Sequence, residues 1–209
     1  MKRNDKTMKK ILVAIIVALG LSLVWAITVW QPSSNQSGTH SPLGLAEVPR
    51  GGDFTLRSPD GPLALHDLKG KVVLLYFGYT FCPDICPTSL AFTSQALASL
   101  NEAEQKKVQM LFVTVDPERD TLDKLKTYTA YFNPNIVGLS GTPEEIAKVA
   151  KLYGASYSKQ NTESAGGYVV DHSAYTYVIT PDGSLLKTLD HGTPPAQVVE
   201  AIRAAIQVK

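Results

Sequence analysis

The hydrophobic pattern divides the chain into a long apolar run, a polar spacer and a region of alternating short apolar segments. Ile11 to Trp30 is a stretch of twenty consecutive residues without a charge. At ~1.5 Å rise per residue, a helix of that length spans the ~30 Å hydrocarbon core of a bilayer. The run exceeds the apolar core of a cleaved secretion signal and ends in Trp25, Thr28 and Trp30 rather than in small residues. It therefore predicts a transmembrane anchor over 11–30, with the tryptophans at the far interface. Residues 31–48, rich in Ser, Pro, Gly, Asn and Gln, read as a flexible linker.

From residue 49 to 209 the pattern is that of one globular domain. Phe54-Thr55-Leu56 and Leu63-Ala64-Leu65 flank Ser58-Pro59-Asp60-Gly61-Pro62 and predict an N-terminal β-hairpin, lying as a lid at the start of the fold. Val72 to Phe77 is a continuous β-branched and aromatic run, as in a central strand covered on both faces, and Val108 to Val115 reads as a second buried strand. Helical spacing runs from Thr88 to Leu100 and from Thr121 to Phe132, and a short strand is predicted over Ile136 to Leu139. Thr142-Pro143-Glu144-Glu145 is a helix-opening signature for a segment reaching Tyr153-Gly154. Ser156 to Gly167 is polar and reads as a mobile insertion. Ala174 to Ile179 and Leu185 to Leu189 flank Pro181-Asp182-Gly183 as a hairpin, and Pro195 to Ile206 is an amphipathic helix. The order predicts an α/β fold of thioredoxin-like arrangement, a central mixed sheet flanked by helices.

Charge adds direction and removes one class of partner. The net charge is +1, yet Lys2, Arg3, Lys6, Lys9 and Lys10 against Asp5 make residues 1–10 strongly basic, leaving the rest slightly acidic. The basic segment is expected on the cytoplasmic side, which puts the folded body outside the cytoplasm. A mildly acidic body without a basic stripe excludes nucleic acid as the partner.

The only two cysteines, Cys82 and Cys86, follow directly on the first buried run, and each precedes a proline. Pro87 suits the first position of a helix, which would place Cys86 at the N-cap or beside it, where the helix dipole lowers a thiol pKa. Thiols outside the cytoplasm tend toward disulfides, and the thioredoxin class uses two intervening residues where this chain has three. A Cys82–Cys86 disulfide, thiol exchange and a thiophilic metal all remain open. Two sulfurs with one imidazole suit cuprous copper, and zinc more commonly takes a fourth protein donor. The third donor is expected from His172, in the loop entering the penultimate strand, where thioredoxin-type enzymes carry proline. Asp171 beside it is a candidate to orient the imidazole. His40, His66 and His191 read as solvent-facing or structural.

These residues resemble the Sco (SenC) copper chaperones. Gly78-Tyr79-Thr80-Phe81-Cys82-Pro83-Asp84-Ile85-Cys86-Pro87, Val115-Asp116-Pro117-Glu118-Arg119-Asp120-Thr121 and Asp171-His172-Ser173-Ala174 carry the resemblance, which covers about Val48 to Val208. It implies a thioredoxin fold tethered to the bacterial inner membrane on the periplasmic side. A copper ion would be held by Cys82, Cys86 and His172, and delivered to the copper-binding subunit of cytochrome c oxidase or another copper-receiving protein. Asp116 is implied near the site, and the segment to Asp120 is expected to shape it or cap the next helix. Position 81 is Phe where many relatives carry histidine, so no accessory metal or proton role carries over there. The resemblance implies a chaperone rather than an enzyme, with thiol-disulfide reduction through Cys82 and Cys86 as the alternative. A peroxiredoxin would carry threonine at position 83, which here is proline.

Overall fold

The computed structural model describes residues 3–29, 43–161 and 167–208, and within the first stretch the side chains of residues 8–23 and 25. His40, most of the expected linker and residues 162–166 of the expected insertion lie outside the described residues. Two compact units are present, residues 1–39 and 40–209.

The first unit is helix α1, Arg3–Val29. Its described apolar side chains, from Met8 to Leu23 and at Trp25, are exposed on every side. Among the described residues no helix is long and apolar enough to cross a membrane. The expected span over 11–30 runs beyond the described side chains, of which residues 8–23 make about 24 Å of helix at 1.5 Å per residue. Anchoring by the full run 11–30 becomes a proposal, taken up below.

The second unit is built on a five-stranded sheet. Strands β3 (Val72–Gly78), β4 (Val108–Thr114) and β5 (Ile136–Leu139) are parallel, and β8 (Thr176–Ile179) and β9 (Leu185–Leu189) add antiparallel strands, in the order β5-β4-β3-β8-β9. Every residue of β3 and β4 is buried, including the polar Gln109 and Thr114 of β4. Helices α2 (Ile85–Ser99), α4 (Leu122–Phe132), α5 (Pro143–Leu152) and α6 (Pro195–Gln207) connect or follow these strands, and a short α3 (Glu102–Gln105) precedes β4. Thr142 caps α5 by accepting the Glu145 N–H while the Glu145 carboxylate accepts the Thr142 N–H, the reciprocal arrangement its sequence announces.

Three segments differ from the pattern reading. The N-terminal hairpin pairs β1 (Thr55–Ser58) with β2 (Gly61–Ala64), one residue off the expected strands. Arg57 exchanges backbone hydrogen bonds with Ser140, so the hairpin extends the β5 side of the fold. Helix α2 begins at Ile85 instead of Pro87. Proline is tolerated in the third helical position because the first intrahelical bond, Thr88 N–H to Asp84 C=O at 3.2 Å, comes after it. The expected insertion is in part a strand: β6 (Tyr157–Asn161) pairs antiparallel with β7 (Tyr168–His172), Tyr157 opposite His172.

Candidate metal centre

The cysteine loop leaves the carboxyl end of β3 and turns into α2. Gly78 ends the strand, and only glycine fits there: a Cβ would lie 2.7 Å from the Cys86 Sγ and 2.8 Å from the Phe112 ring. Cys86 then sits on the first turn of α2, fully buried, while Cys82 in the loop above is 8% exposed. The Cys86 N–H donates to the Cys82 Sγ at 3.4 Å, so the sulfur of the outer cysteine caps the open end of the helix.

That geometry reverses the expected roles of the thiols. The hydrogen bond from the Cys86 side chain, with smaller contributions from the backbone of Asp84 and Cys86, brings the Cys82 thiol down to about 4, although burial opposes the shift. Burial, together with the negative charge of Cys82, pushes the Cys86 thiol well up. The anion is therefore favoured on Cys82 rather than on Cys86.

His172 closes the group from β7. Its Nε2 lies 3.2 Å from the Cys86 Sγ, and the three donor atoms of Cys82, Cys86 and His172 all fall within 4.8 Å of one another. Nδ1 is 3.1 Å from the Ser173 carbonyl, which can only accept, so the hydrogen sits on Nδ1 and Nε2 presents its lone pair to the sulfurs. The ring is 1% exposed and stands edge-on between Tyr76 and Tyr79, at centroid distances of 6.2 Å and 5.9 Å. The expected loop position of His172 is thus corrected to the end of a paired strand. Both cysteines are free thiols.

The acidic segment after β4 braces this arrangement. Asp120, fully buried, accepts the Thr80 N–H at 3.0 Å and the Thr114 hydroxyl at 2.6 Å, pinning the cysteine loop to β4. It does not cap α4, because Thr121 does. Asp116 touches none of the three donors; it accepts from the Arg119 guanidinium and from the Tyr168 hydroxyl at 2.7 Å. Asp171 is opposite Ser158 in the β6–β7 ladder and half-buried, and the ring nitrogen it was expected to orient is met by the Ser173 carbonyl instead. Of the other histidines, His191 bonds the Ser89 hydroxyl at 2.9 Å and His66 pairs with Asp53 at 2.7 Å, both structural contacts. The sequence reading missed Gly78, Thr80 and Ser173 as supports; the acids clustered just past a buried strand were the available signal for Asp120.

A match to the SCO1/SenC family model covers residues 45–207. The chain belongs to the SCO1/SenC family. It is 37% identical over 198 residues to the bovine mitochondrial SCO2 homologue, covering 93% of this chain and 74% of that protein. The copper-bound structure of ScoI from Bradyrhizobium japonicum superimposes with a TM-score of 0.68 at 38% identity, over 75% of this chain and 99% of that one. BsSco is a Sco protein described as carrying a disulfide switch and belonging to the cytochrome c oxidase assembly proteins. It matches with a TM-score of 0.60 at 27% identity, over 81% of this chain and 100% of its own. The thioredoxin-like Sco fold, with its mixed sheet flanked by helices, is therefore the fold of residues 43–208.

Proposed function

We propose that this SCO1/SenC protein is a copper chaperone: it takes up one copper ion between Cys82 Sγ, Cys86 Sγ and His172 Nε2 and passes it by ligand exchange to a copper-receiving partner, the copper-binding subunit of cytochrome c oxidase. The carrying observation is the convergence of two thiols and an imidazole lone pair within 4.8 Å, in a fold shared with a copper-bound Sco protein. Two soft sulfurs and one imidazole suit copper, and a three-donor set lacks the fourth protein ligand of a structural zinc site. Cys82 is already held as thiolate, so only the buried Cys86 must lose its proton as the metal enters. Oxidation of the two metal-bound thiolates to a disulfide, their two electrons passing to an external acceptor, would remove two of the three donors and release the metal.

The exposed apolar side chains along α1, the uncharged run 11–30 and the basic residues before it support a single inner-membrane anchor, with the copper domain outside the cytoplasm.

One observation supports thiol-disulfide reduction as a second reading: Cys82 is a low-pKa thiol next to a resolving partner. Titrating the reduced chain with Cu(I) separates the two. The chaperone reading expects one tightly held ion per chain and a clear loss of affinity in His172→Ala. Unchanged affinity in that variant, with rapid copper-free turnover of a disulfide substrate, would replace it by the reductase.

A further inference from the structure

The β6–β7 hairpin carries His172 but shares no ladder with the five-stranded sheet that carries the cysteine loop. Arg119 is prominent among the side chains that join the two. The Arg119 guanidinium is fixed by the fully buried carboxylate of Asp116 and donates through Nη1 to the Tyr168 carbonyl at 2.9 Å, at the start of β7. Its Cζ lies over the Tyr168 ring, 3.7 Å from the centroid, and over the ring of Phe81, the residue before Cys82, at 4.9 Å. Asp116 holds the same strand a second time through the Tyr168 hydroxyl at 2.7 Å.

We propose that Arg119 is a positioning residue of the metal centre: it locks the strand of His172 to the loop of Cys82, so that Nε2 is kept at the distance the two sulfurs require. The proposal rests on the copper reading above. A hairpin with no backbone ladder to the sheet depends on contacts of this kind for its seat, and a donor set loses affinity when one ligand must be recruited from a spread of positions. Guanidinium is suited to this place because its planar fork reaches a carboxylate and a carbonyl at once while it lies over two rings. An ammonium is a point charge that can satisfy only one of these contacts. Substituting lysine therefore keeps the charge beside Asp116 and removes the lock.

The test uses the reduced full chain in detergent micelles. Cu(I) affinity is measured against a competing chelator, and nitrogen splitting is read in the paramagnetic resonance spectrum of the Cu(II) form. Arg119→Lys is expected to weaken copper binding about ten-fold, the lower end of the range for residues that orient a metal ligand, with diminished nitrogen splitting. Free imidazole, which can replace a displaced ligand but cannot repair a fold, is expected to restore both. Wild-type affinity and splitting in Arg119→Lys, or a loss that imidazole leaves unchanged, would overturn the proposal. If Arg119→Lys does not fold, Tyr168→Phe decides: it keeps ring and backbone but loses the bond to Asp116, and a smaller, imidazole-rescued loss is expected, while no change overturns the lock. A wild-type spectrum matching that of His172→Ala would instead refute the three-ligand reading itself.

Discussion

At the scale of single residues, the two thiols are made unequal by the hydrogen bond between their side chains, which lowers Cys82, and by burial, which raises Cys86. The Cys82 sulfur lies where the α2 backbone offers an N–H, and Cys86 lies behind it with no exposure. A group whose pKa is lowered is charged above its new value and loses that charge only as pH falls through it. Cys82 should thus be a thiolate from neutral pH down to about 4. Thiolate ultraviolet absorbance of the metal-free, reduced chain, with Cys82→Ser as the blank, is expected to persist through pH 5 and to be lost around pH 4. A loss centred at the ordinary thiol value would contradict the assignment. The sequence identified both cysteines but assigned the lowered pKa to the wrong one. Proline before and after a site restricts backbone angles, yet it does not say which sulfur folds back onto the open N–H groups.

At the scale of elements, the hairpin that carries His172 is held to the cysteine loop by contacts that differ in kind. Besides the Arg119 contacts, the Tyr79 hydroxyl accepts the Val170 N–H at 3.2 Å, in a buried position. Tyr79→Phe would leave that N–H without its acceptor, at a cost of about 1–3 kcal/mol. Denaturant unfolding should show the loss, and the Val170 amide should exchange faster while the amides of α6 keep their protection. Unaltered stability would mean that the bond is dispensable. Strands β3 and β4 and helices α4, α5 and α6 were legible because each buries a continuous or periodic apolar face. Strand β6 was not: Tyr-Ser-Lys-Gln-Asn is mostly exposed and exists through its backbone ladder with β7, which leaves no hydrophobic signature. The same ladder explains why His172, expected on a loop, is buried at a strand end.

At the scale of the whole molecule, the proposed anchor and the proposed copper site lie in separate units, and the proposed compartment follows from charge and hydropathy. A reporter enzyme that is active only outside the cytoplasm, fused after residue 209 of the full chain, should be active. Loss of that activity on deleting residues 11–30 should accompany release of the protein from the membrane fraction. An inactive fusion, or unchanged membrane association after the deletion, would contradict single-pass anchoring. The site's donor set was legible as three residues, Cys82, Cys86 and His172, since soft ligands are rare and their types restrict the metal. Its supports Gly78, Thr80 and Ser173 were not, because they act through space and backbone atoms rather than through recognisable chemistry. The central claim is that these three side chains together hold one copper ion. X-ray absorption at the copper edge of the stoichiometrically loaded chain counts the neighbours directly: two sulfurs and one imidazole are predicted, with the imidazole lost in His172→Ala, whereas a wild-type site of sulfur neighbours alone would contradict the account.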